Sequence, residues 1–326
     1  MKLLSSLKEA DLAGKRVIVR GDLDITDFSE NDIRLQRLVP TVKFLLENKA
    51  TVILIGHIGR PDGKAEEKYS LKQLQPILEK MIGTNEGWEL KENLRFDPRE
   101  EQNDESFAKE LSSLGDIYVN EAFSVSHRKH ASIVGIPKFL PSYAGLNLEN
   151  EIMNLSKVFE PIRPLVILIS GTKDDKLTMI EPLSNLADKV LVGGRLPDLL
   201  GDKGLESIRL QGDGRKVLIG NLIMDKEDIT LNTIDIFSNE VMKAKTVVLA
   251  GVLGRYEDEG HSQGTRKVFT AVANSKAFKI VGGGDSLNAI NKYGLTDKFD
   301  WVSVGGGAML EFLTKKTLPG IEALQN

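Results

Sequence analysis

The stretch "PLVILISGTKDDKLTMI" (164–180) indicates how the chain folds. It begins with an apolar, β-branched run of strand length, and "GTKDDK" separates this run from an amphipathic helical pattern. A strand that is apolar on both faces and leads into a helix is typical of a parallel α/β sheet, because helices cover both faces of such a sheet. The two lysines of "GTKDDK" follow the carboxyl end of the strand, where open parallel sheets bind their ligands.

Similar apolar runs recur along the chain, and helical patterns such as 34–48, 70–82 and 103–114 separate them. These runs are "KRVIVRG" (15–21), "ATVILIG" (50–56), "DIYVNEA" (116–122), "DKVLVGG" (188–194), "KTVVLAG" (245–251), "FKIVGGG" (278–284) and "DWVSVGGG" (300–307). The pattern predicts an α/β protein with two doubly wound parallel-sheet lobes joined by a connecting helix. The predicted parts are a first lobe at 1–150, the helix at 151–164 and a second lobe at 165–326, whose last residues pack back on the first lobe.

The composition narrows the class of protein. The chain has 326 residues, a net charge of −4 and 41% hydrophobic residues, which suits two ordinary globular domains. It contains no cysteine, so disulfides, thiolate chemistry and cysteine zinc sites are excluded. No apolar run approaches the length of a membrane span or of a signal peptide. We therefore expect a cytoplasmic monomer that binds small molecules, and neither nucleic acid nor membranes.

Cationic side chains follow several strands of the first lobe. One surface arginine usually has no ligand, but residues from several strand ends suit a small, multiply charged anion. The charged residues near these strand ends are Asp22, Asp24, Arg34, His57, Arg60, Arg95 and Arg128. The two histidines of "HRKHAS" (127–132) have no third metal ligand nearby, so a basic loop around Arg128 is the better interpretation.

Glycine turns end the strands of the second lobe: "SGTKDDK", "GGR", "AGVLG", "GGGDS" and "GGGA". In "IVGGGDSLNAI" (280–290), Gly283 and Gly284 would allow close approach of a phosphate, and Asp285 could bind Mg²⁺. The alternative is a simple tight turn with Asp285 or Ser286 as helix cap. A second glycine triplet at 305–307 favours phosphate binding.

Lys173 and Lys176 stand three residues apart in "GTKDDK" and would share one helix face. Cations at the start of a helix oppose its dipole, so a merely solvated helix start is the less favourable interpretation. An anion bound between the lysines and the backbone N–H groups would remove this conflict.

These motifs, in this order, resemble the phosphoglycerate kinase family. The likeness rests on "VIVRGDLDI", "RLQRLVPTVKFLLENKATVILIGHIGRPDGK", "ENLRF", "VNEAFSVSHRKHASIVGI", "IVGGGDSLNAINKYGLTDKF" and "VSVGGGAMLEFLTKKTLPGIEAL". It spans nearly the whole chain. The resemblance implies two doubly wound lobes, hinge closure between them, and reversible phosphoryl transfer between 1,3-bisphosphoglycerate and ADP with Mg²⁺, giving 3-phosphoglycerate and ATP.

The resemblance also implies a role for each site residue. Asp22 and Asp24 would contact the hydroxyl end of 3-phosphoglycerate, and Arg34 would stabilise the group in transit. The phosphate and carboxylate of this substrate would be held by His57, Arg60, Arg95 and Arg128. Lys176 would meet the transferring phosphoryl group. The remaining residues of the nucleotide and metal site would be Gly171, Lys173, Glu257, Gly283, Gly284, Asp285 and Ser286, with Asp285 as the metal ligand.

The sequence departs from the family mainly in the second lobe. Asp24 stands where the family has asparagine, which adds a negative charge beside an anionic substrate. The loop "SGTKDDK" is one residue short, "AGVLG" replaces Asn-Gly-Pro-x-Gly, and Val304 replaces a threonine. Several dozen family residues are missing between "VLVGG" and "KAKTVVLAG". We expect a working kinase with a reduced nucleotide lobe; the alternatives are an impaired paralogue that senses 3-phosphoglycerate, or a purely structural protein.

Overall fold

The computed structural model describes residues 1–25, 28–201 and 216–325. The chain forms two compact units. The N-terminal unit comprises Met1–Met153 together with the C-terminal segment that begins at Thr317, and the C-terminal unit comprises Asn154–Lys316. Among the described residues, no helix combines the length and the apolar character that crossing a bilayer would require.

Each unit is built on one parallel sheet. The sheet of the N-terminal unit has the strand order β3-β2-β1-β4-β5, and that of the C-terminal unit has the order β11-β10-β9-β6-β7-β8. The strands are β1 (Arg16–Arg20), β2 (Thr51–Ile55), β3 (Trp88–Leu90), β4 (Ile117–Asn120), β5 (Ser142–Ala144), β6 (Leu165–Gly171), β7 (Lys189–Gly194), β8 (Val217–Ile219), β9 (Thr246–Ala250), β10 (Phe278–Gly282) and β11 (Trp301–Ser303). All paired strands run parallel. Both sheets are doubly wound, so the predicted fold class is confirmed.

Helices connect these strands. The α-helices are α1 (Glu9–Leu12), α2 (Ile33–Glu47), α3 (Gln75–Ile82), α4 (Glu105–Ser112), α5 (Leu146–Ser156), α6 (Ile180–Leu186), α7 (Leu231–Lys243), α8 (Gln263–Asn274), α9 (Gly284–Lys292), α10 (Gly306–Lys315) and α11 (Pro319–Glu322). Short 3₁₀-helices lie at Leu4–Ser6, Glu67–Tyr69, Leu71–Leu74, Leu94–Phe96, Phe123–Val125, Ile136–Lys138, Asp174–Met179, Glu259–His261, Thr296–Lys298 and Ala323–Gln325, and one π-helical turn lies at Ala131–Gly135. The backbone N–H of Gly320, in α11, donates to the carbonyl of Ser126 (2.8 Å) within the N-terminal unit.

All eight predicted apolar runs form strands, and the predictions of a helix near 34–48, 70–82 and 103–114 are confirmed. The apolar runs do not predict β3, β5 and β8, which are three residues long and lie at sheet edges. Edge strands need not be apolar on both faces, so they lack the continuous apolar run that marks a central strand.

The helix predicted at 151–164 lies instead at Leu146–Ser156 and carries the chain across the boundary between the units. Its earlier start has a tertiary cause: the buried carboxylate of Glu121 accepts the N–H groups of Asn147 (3.0 Å) and Leu148 (2.9 Å). A carboxylate at a helix N-terminus satisfies donors that have no partner within the helix. Burial raises the pKa of Glu121 to about 7, while these hydrogen bonds act in the opposite direction.

The core of the C-terminal unit should govern its stability. Ile167, in the central strand β6, is fully buried, so Ile167→Ala should lower the free energy of unfolding by about 2–5 kcal/mol through lost burial and a residual cavity. Ile162 is 71% exposed, so the matched Ile162→Ala change should cost less than about 0.5 kcal/mol. Urea unfolding would be followed by Trp301 fluorescence in a Trp88→Phe background, since the chain has two tryptophans and Trp88 reports on the other unit. Equal losses for both variants would contradict the expectation.

Candidate active site

Five of the seven predicted anion-site residues come together in the N-terminal unit, and we call this group the arginine site. Two of them follow β1, one opens α2, one follows β2 and one lies in the 3₁₀-helix Leu94–Phe96. The five residues are Asp22, Asp24, Arg34, His57 and Arg95. Because carboxyl ends of parallel strands share one edge of a sheet, residues distant in sequence meet there.

Asp24 and Gly59 link the cations of the arginine site. One carboxylate oxygen of Asp24 accepts the N–H of Gly59 (2.8 Å), and the other lies 3.7 Å from Nε2 of His57. The guanidinium of Arg34 donates to the backbone carbonyl of Asp24. Arg95 donates from Nη1 to the carbonyl of Gly59 (2.8 Å). The added negative charge of Asp24 is therefore held by a backbone donor and surrounded by cationic or polar groups.

Asp22 is the unsatisfied member of the site. It is only 3% exposed, and neither carboxylate oxygen accepts a hydrogen bond from the described part of the chain. Nε of Arg34 lies 3.6 Å from a carboxylate oxygen of Asp22, and the negative charge of Asp22 raises the pKa of Arg34. A buried carboxylate without a donor costs free energy, so Asp22 is poised to accept a hydrogen bond from a bound ligand.

His57 is buried and neutral. Its exposed fraction is 1%, and burial, followed by repulsion from Arg20 and Arg95, holds its pKa well below the usual range. Arg20 donates from Nη2 to Nδ1 of His57 (2.9 Å). Arginine has no acceptor, so Nδ1 must be the unprotonated nitrogen and the proton resides on Nε2. His57 therefore presents an N–H donor toward the arginine site.

Arg20 was missed in the sequence analysis. It lies in β1 with 1% exposure, and its Nε donates to Oγ of Ser132 (3.1 Å). Ser132 in turn donates to Glu100 from Oγ (2.5 Å) and from its backbone N–H (2.9 Å). The available signal was a charged residue at the end of an otherwise apolar run, "KRVIVRG". A fully buried arginine is rare and implies a dedicated set of partners.

The other two predicted anion-site residues, Arg60 and Arg128, stand apart from these contacts. Both are exposed, and neither side chain forms a hydrogen bond or ion pair with another described residue. Arg60 directly follows Gly59, whose N–H donates to Asp24, and the backbone N–H of Arg128 donates to the carbonyl of Val125 (2.9 Å), at the end of the 3₁₀-helix Phe123–Val125.

A cavity of about 250 Å³ lies in the C-terminal unit, and we call it the glycine-turn cavity. It is lined by residues that follow β6, β7 and β9, by the loop before α7 and by α9. The lining residues are Ser170, Gly171, Thr172, Lys176, Gly194, Arg195, Lys226, Glu227, Gly251, Val252, Leu253, Gly254, Arg255, Tyr256, Glu257 and Asp285. The predicted residues Gly171, Lys176, Glu257 and Asp285 are thus brought together. Lys226, Arg195 and Arg255 were not predicted.

The two lysines of "GTKDDK" differ in their surroundings. Part of the segment lies in the 3₁₀-helix Asp174–Met179, which precedes α6. Lys173 occupies the N-cap position of this helix, is exposed, and does not line the cavity. Lys176 lines the cavity and donates from Nζ to the carbonyl of Ser170 (2.5 Å). Burial lowers the pKa of Lys176, and the charges of Asp175 and Asp285 partly oppose this. The spacing predicted that both lysines share one helix face. This prediction is wrong, because Lys173 precedes the 3₁₀-helix that contains Lys176.

The glycines at the strand ends are required for close backbone packing. Gly251 has φ +114°, and a Cβ there would lie 2.1 Å from the carbonyl oxygen of Ser170. Gly283 has φ +102°, and a Cβ on Gly306 would lie 2.5 Å from the Cα of Gly283, so the two glycine triplets meet. Ser286 is fully buried and its Oγ accepts the N–H of Gly251 (2.9 Å), which fixes the turn at the cavity wall. Gly283, Gly284 and Ser286 do not belong to the lining themselves.

Asp285 is the only residue of the predicted metal site. It lies in the first turn of α9, is exposed and lines the cavity. Among the residues that the structure describes, no group of three or more His, Cys, Asp or Glu side chains could hold a metal ion. One carboxylate at the wall of this cavity fits Mg²⁺, which takes few protein ligands and completes its octahedron with phosphate oxygens and water.

The two sites define a class of protein. One parallel-sheet unit presents clustered cations and carboxylates, and the other presents a glycine-lined cavity with a lysine, which is the division expected of a two-lobed kinase. The family model of phosphoglycerate kinase matches residues 7–200 and 215–316. The chain belongs to the phosphoglycerate kinase family, whose members are phosphotransferases, and the prediction of the family is confirmed.

Relatives cover the whole chain. The phosphoglycerate kinase of Herpetosiphon aurantiacus is 38% identical over 389 residues, which cover 98% of this chain and 99% of that protein. That of Coprothermobacter proteolyticus is 37% identical over 387 residues, covering 98% of each. The structure of phosphoglycerate kinase from Coxiella burnetii superposes with a TM-score of 0.84 at 31% identity, over 99% of this chain and 98% of that one. The alignment with the Herpetosiphon aurantiacus protein is 389 positions long and this chain has 326 residues, so at least 63 positions of that protein have no counterpart in this chain.

Arg20 should control the protonation of His57. In Arg20→Gln the repulsion between Arg20 and the imidazolium disappears, so the pKa of His57 should rise, while burial still keeps it below its usual value. The measurement is an NMR titration of the imidazole resonances. Arg16→Gln, in the same strand but with a side chain 53% exposed, is the matched control and should leave His57 unchanged. An identical titration in both variants would refute the assignment.

Proposed function

We propose that the chain catalyses the reversible transfer of a phosphoryl group between 1,3-bisphosphoglycerate and ADP, giving 3-phosphoglycerate and ATP. One observation carries the proposal: Lys176 and Asp285, from two different strand–helix connections, line the same glycine-turn cavity. A desolvated ammonium and a carboxylate that can bind a metal are the groups that phosphoryl transfer uses to neutralise developing charge.

The arginine site is proposed to bind 3-phosphoglycerate. Asp22 would accept the substrate hydroxyl, which would supply the hydrogen bond that its carboxylate lacks. His57 would donate from Nε2, since Arg20 occupies Nδ1. Arg34 would stabilise the phosphoryl group in transit. The phosphate and carboxylate would be held by Arg95 and by the exposed guanidinium groups of Arg60 and Arg128, for which an anion supplies the missing partner.

In the direction that consumes ATP, a carboxylate oxygen of 3-phosphoglycerate forms a bond to the γ-phosphorus of ATP, and the bond from that phosphorus to the β,γ-bridging oxygen breaks. ADP leaves with the electron pair, and the reverse reaction regenerates ATP. Lys176 would contact the transferring group, whose negative charge is spread over its three equatorial oxygens in the transition state. Glu257 would contact the ribose, and Gly171, Lys173, Gly283, Gly284 and Ser286 would shape or contact the phosphate-binding turns.

Mg²⁺ is proposed to accompany the nucleotide. Asp285 would be its protein ligand, and the bound ion would neutralise phosphate charge and orient the β- and γ-phosphates. The exposure of Asp285 leaves room for the water molecules that Mg²⁺ retains.

We further propose that the protein acts as a cytoplasmic monomer on small molecules alone. Each of the two sites is formed by residues of one chain, so neither needs a second copy. The absence of cysteine from the sequence suits a reducing compartment.

The second candidate function is a protein that binds 3-phosphoglycerate without turnover. The loss of at least 63 positions relative to the Herpetosiphon aurantiacus relative is the observation behind it. It is the weaker candidate, because Lys176, Glu257 and Asp285 still line one cavity.

Lys176→Ala should abolish most turnover. Loss of a positioned cation at the transferring group is expected to lower kcat by about 10²–10³-fold. The affinity for 3-phosphoglycerate should not change, because that substrate binds in the other unit. The assay uses ATP, Mg²⁺ and 3-phosphoglycerate with a coupled dehydrogenase, and calorimetry measures 3-phosphoglycerate binding.

Lys267→Ala is the matched control, since Lys267 is an exposed residue of α8 outside the cavity lining, and it should retain full activity. If Lys176→Ala keeps its activity, the assigned role of Lys176 is wrong. If the unchanged protein binds 3-phosphoglycerate but shows no turnover, the second candidate function replaces the first.

Asp24→Asn should tighten the binding of 3-phosphoglycerate by about two- to tenfold, because it removes a negative charge beside an anionic ligand. Asparagine can still accept the N–H of Gly59, so the loop keeps its geometry. Calorimetry at low and high salt would measure the change, which should shrink as salt screens the charge. Asp62→Asn is the control: it makes the same charge change at an exposed residue with φ +50°, which asparagine tolerates. Equal effects of both variants would leave no local role for Asp24.

A further inference from the structure

His261 lies between two carboxylates that come from different segments of the C-terminal unit. Its Nε2 is 2.9 Å from a carboxylate oxygen of Asp225, and its Nδ1 is 2.8 Å from a carboxylate oxygen of Asp258. It ends the 3₁₀-helix Glu259–His261, and its side chain is 18% exposed.

This geometry favours one protonation state of His261. A carboxylate only accepts hydrogen bonds, so each ring nitrogen needs its own proton to make both contacts. Neutral imidazole carries one N–H group and can make only one of them. The hydrogen bonds to Asp225 and Asp258 accordingly raise the pKa of His261 above its usual value. The imidazolium form is the one that joins the two carboxylates.

The two joined segments form part of the wall of the glycine-turn cavity. The 223–228 loop contributes Lys226 and Glu227 to the lining, and the 254–261 loop contributes Gly254, Arg255, Tyr256 and Glu257. Glu257 is the residue proposed to contact the ribose. Asp225 and His261 themselves lie outside the lining, so His261 acts on the cavity through the loops that it joins.

Other contacts also join these loops and contribute charge around His261. The backbone N–H of Arg255 donates to the carbonyl of Glu227 (2.9 Å), and the Arg255 guanidinium donates to the same Asp258 oxygen as His261 (2.7 Å). Asp228 accepts the N–H of Gly264, in α8 (2.9 Å). Burial raises the pKa of Asp228, and the charge of His261 partly opposes this shift. The two loops are thus joined by a backbone hydrogen bond that does not depend on pH, and by His261, whose contacts do.

We propose that His261 is a positioning residue of the nucleotide site, whose imidazolium form ties the 223–228 loop to the 254–261 loop and so holds the cavity wall in shape for the nucleotide. The proposal rests on the proposed function, because it takes ADP and ATP as the ligands of the glycine-turn cavity. Since the pKa of His261 is raised, the cross-link is complete below pH 6.5 and is lost as the pH rises through the raised pKa. Nucleotide affinity should decrease over the same range.

The test is calorimetric binding of ADP with Mg²⁺ to the full chain, to His261→Gln and to His261→Arg, between about pH 6 and about pH 9. Comparing variants at each pH cancels the titration of ADP itself. We expect the Kd of His261→Gln to exceed that of the unchanged protein by about two- to fivefold at the low end, as for exposed ion pairs, and the two values to converge at the high end. His261→Arg keeps its charge and should keep a low Kd throughout.

Each of the following results would overturn the proposal or its premise. A ratio of Kd values that does not vary with pH would overturn the proposal, as would an equal, parallel change in the Kd for 3-phosphoglycerate, which binds in the other unit. An NMR titration that places the pKa of His261 at or below about 6.5 would overturn it without any ligand. If ADP binds neither the unchanged protein nor the variants, the assignment of the nucleotide site is wrong, and the proposed function with it. If ADP binds equally well with and without His261, only the proposed role of His261 is wrong.

Discussion

The parallel arrangement of both sheets determines where the chemistry of this protein can lie. Parallel strands that are buried on both faces must be connected by helices, so all their carboxyl ends fall at one edge. In a doubly wound sheet, a crevice opens at that edge where the winding direction reverses. The reversal lies between β1 and β4 in one unit and between β6 and β9 in the other. Asp22 follows β1, and Ser170 and Gly251, whose backbones nearly touch, mark the ends of β6 and β9.

Buried charges support the arginine site at this edge of the sheet. Burying Arg20 and Glu100 removes two charges from water, which costs free energy that their attraction and hydrogen bonds through Ser132 must offset. An apolar cluster of similar volume could stabilise the fold equally well. An apolar cluster could not donate a hydrogen bond to Nδ1 of His57, as Arg20 does, and so could not keep the proton on Nε2. The buried charges are therefore better explained by the orientation of His57 than by the stability of the fold.

The sequence predicted central features better than peripheral ones, for physical reasons. Central parallel strands are apolar on both faces and can be recognised from composition alone, whereas β3, β5 and β8 are three-residue edge strands without that pattern. Helix α5 begins earlier than predicted because Glu121, distant in sequence, accepts hydrogen bonds from its first turn. The residues of the arginine site could be predicted from strand ends. The position of Arg20 in an apolar run signals that it is buried, but its role could not be predicted, because that role depends on which buried groups surround it, and local sequence does not encode them.

The C-terminal unit combines two kinds of structure within one cavity. One end of the cavity rests on the glycine turn at Gly251, whose geometry is fixed by close backbone packing against Ser170. Its side wall contains the cations Arg195, Lys226 and Arg255, which form partly exposed ion pairs with Asp198, Glu227 and Asp258. Such pairs stabilise little and weaken with salt, whereas the backbone turns do not. Within this one cavity, the glycine turn therefore keeps its geometry at any salt concentration, while the arrangement of the side wall depends on the charge state of its ion pairs.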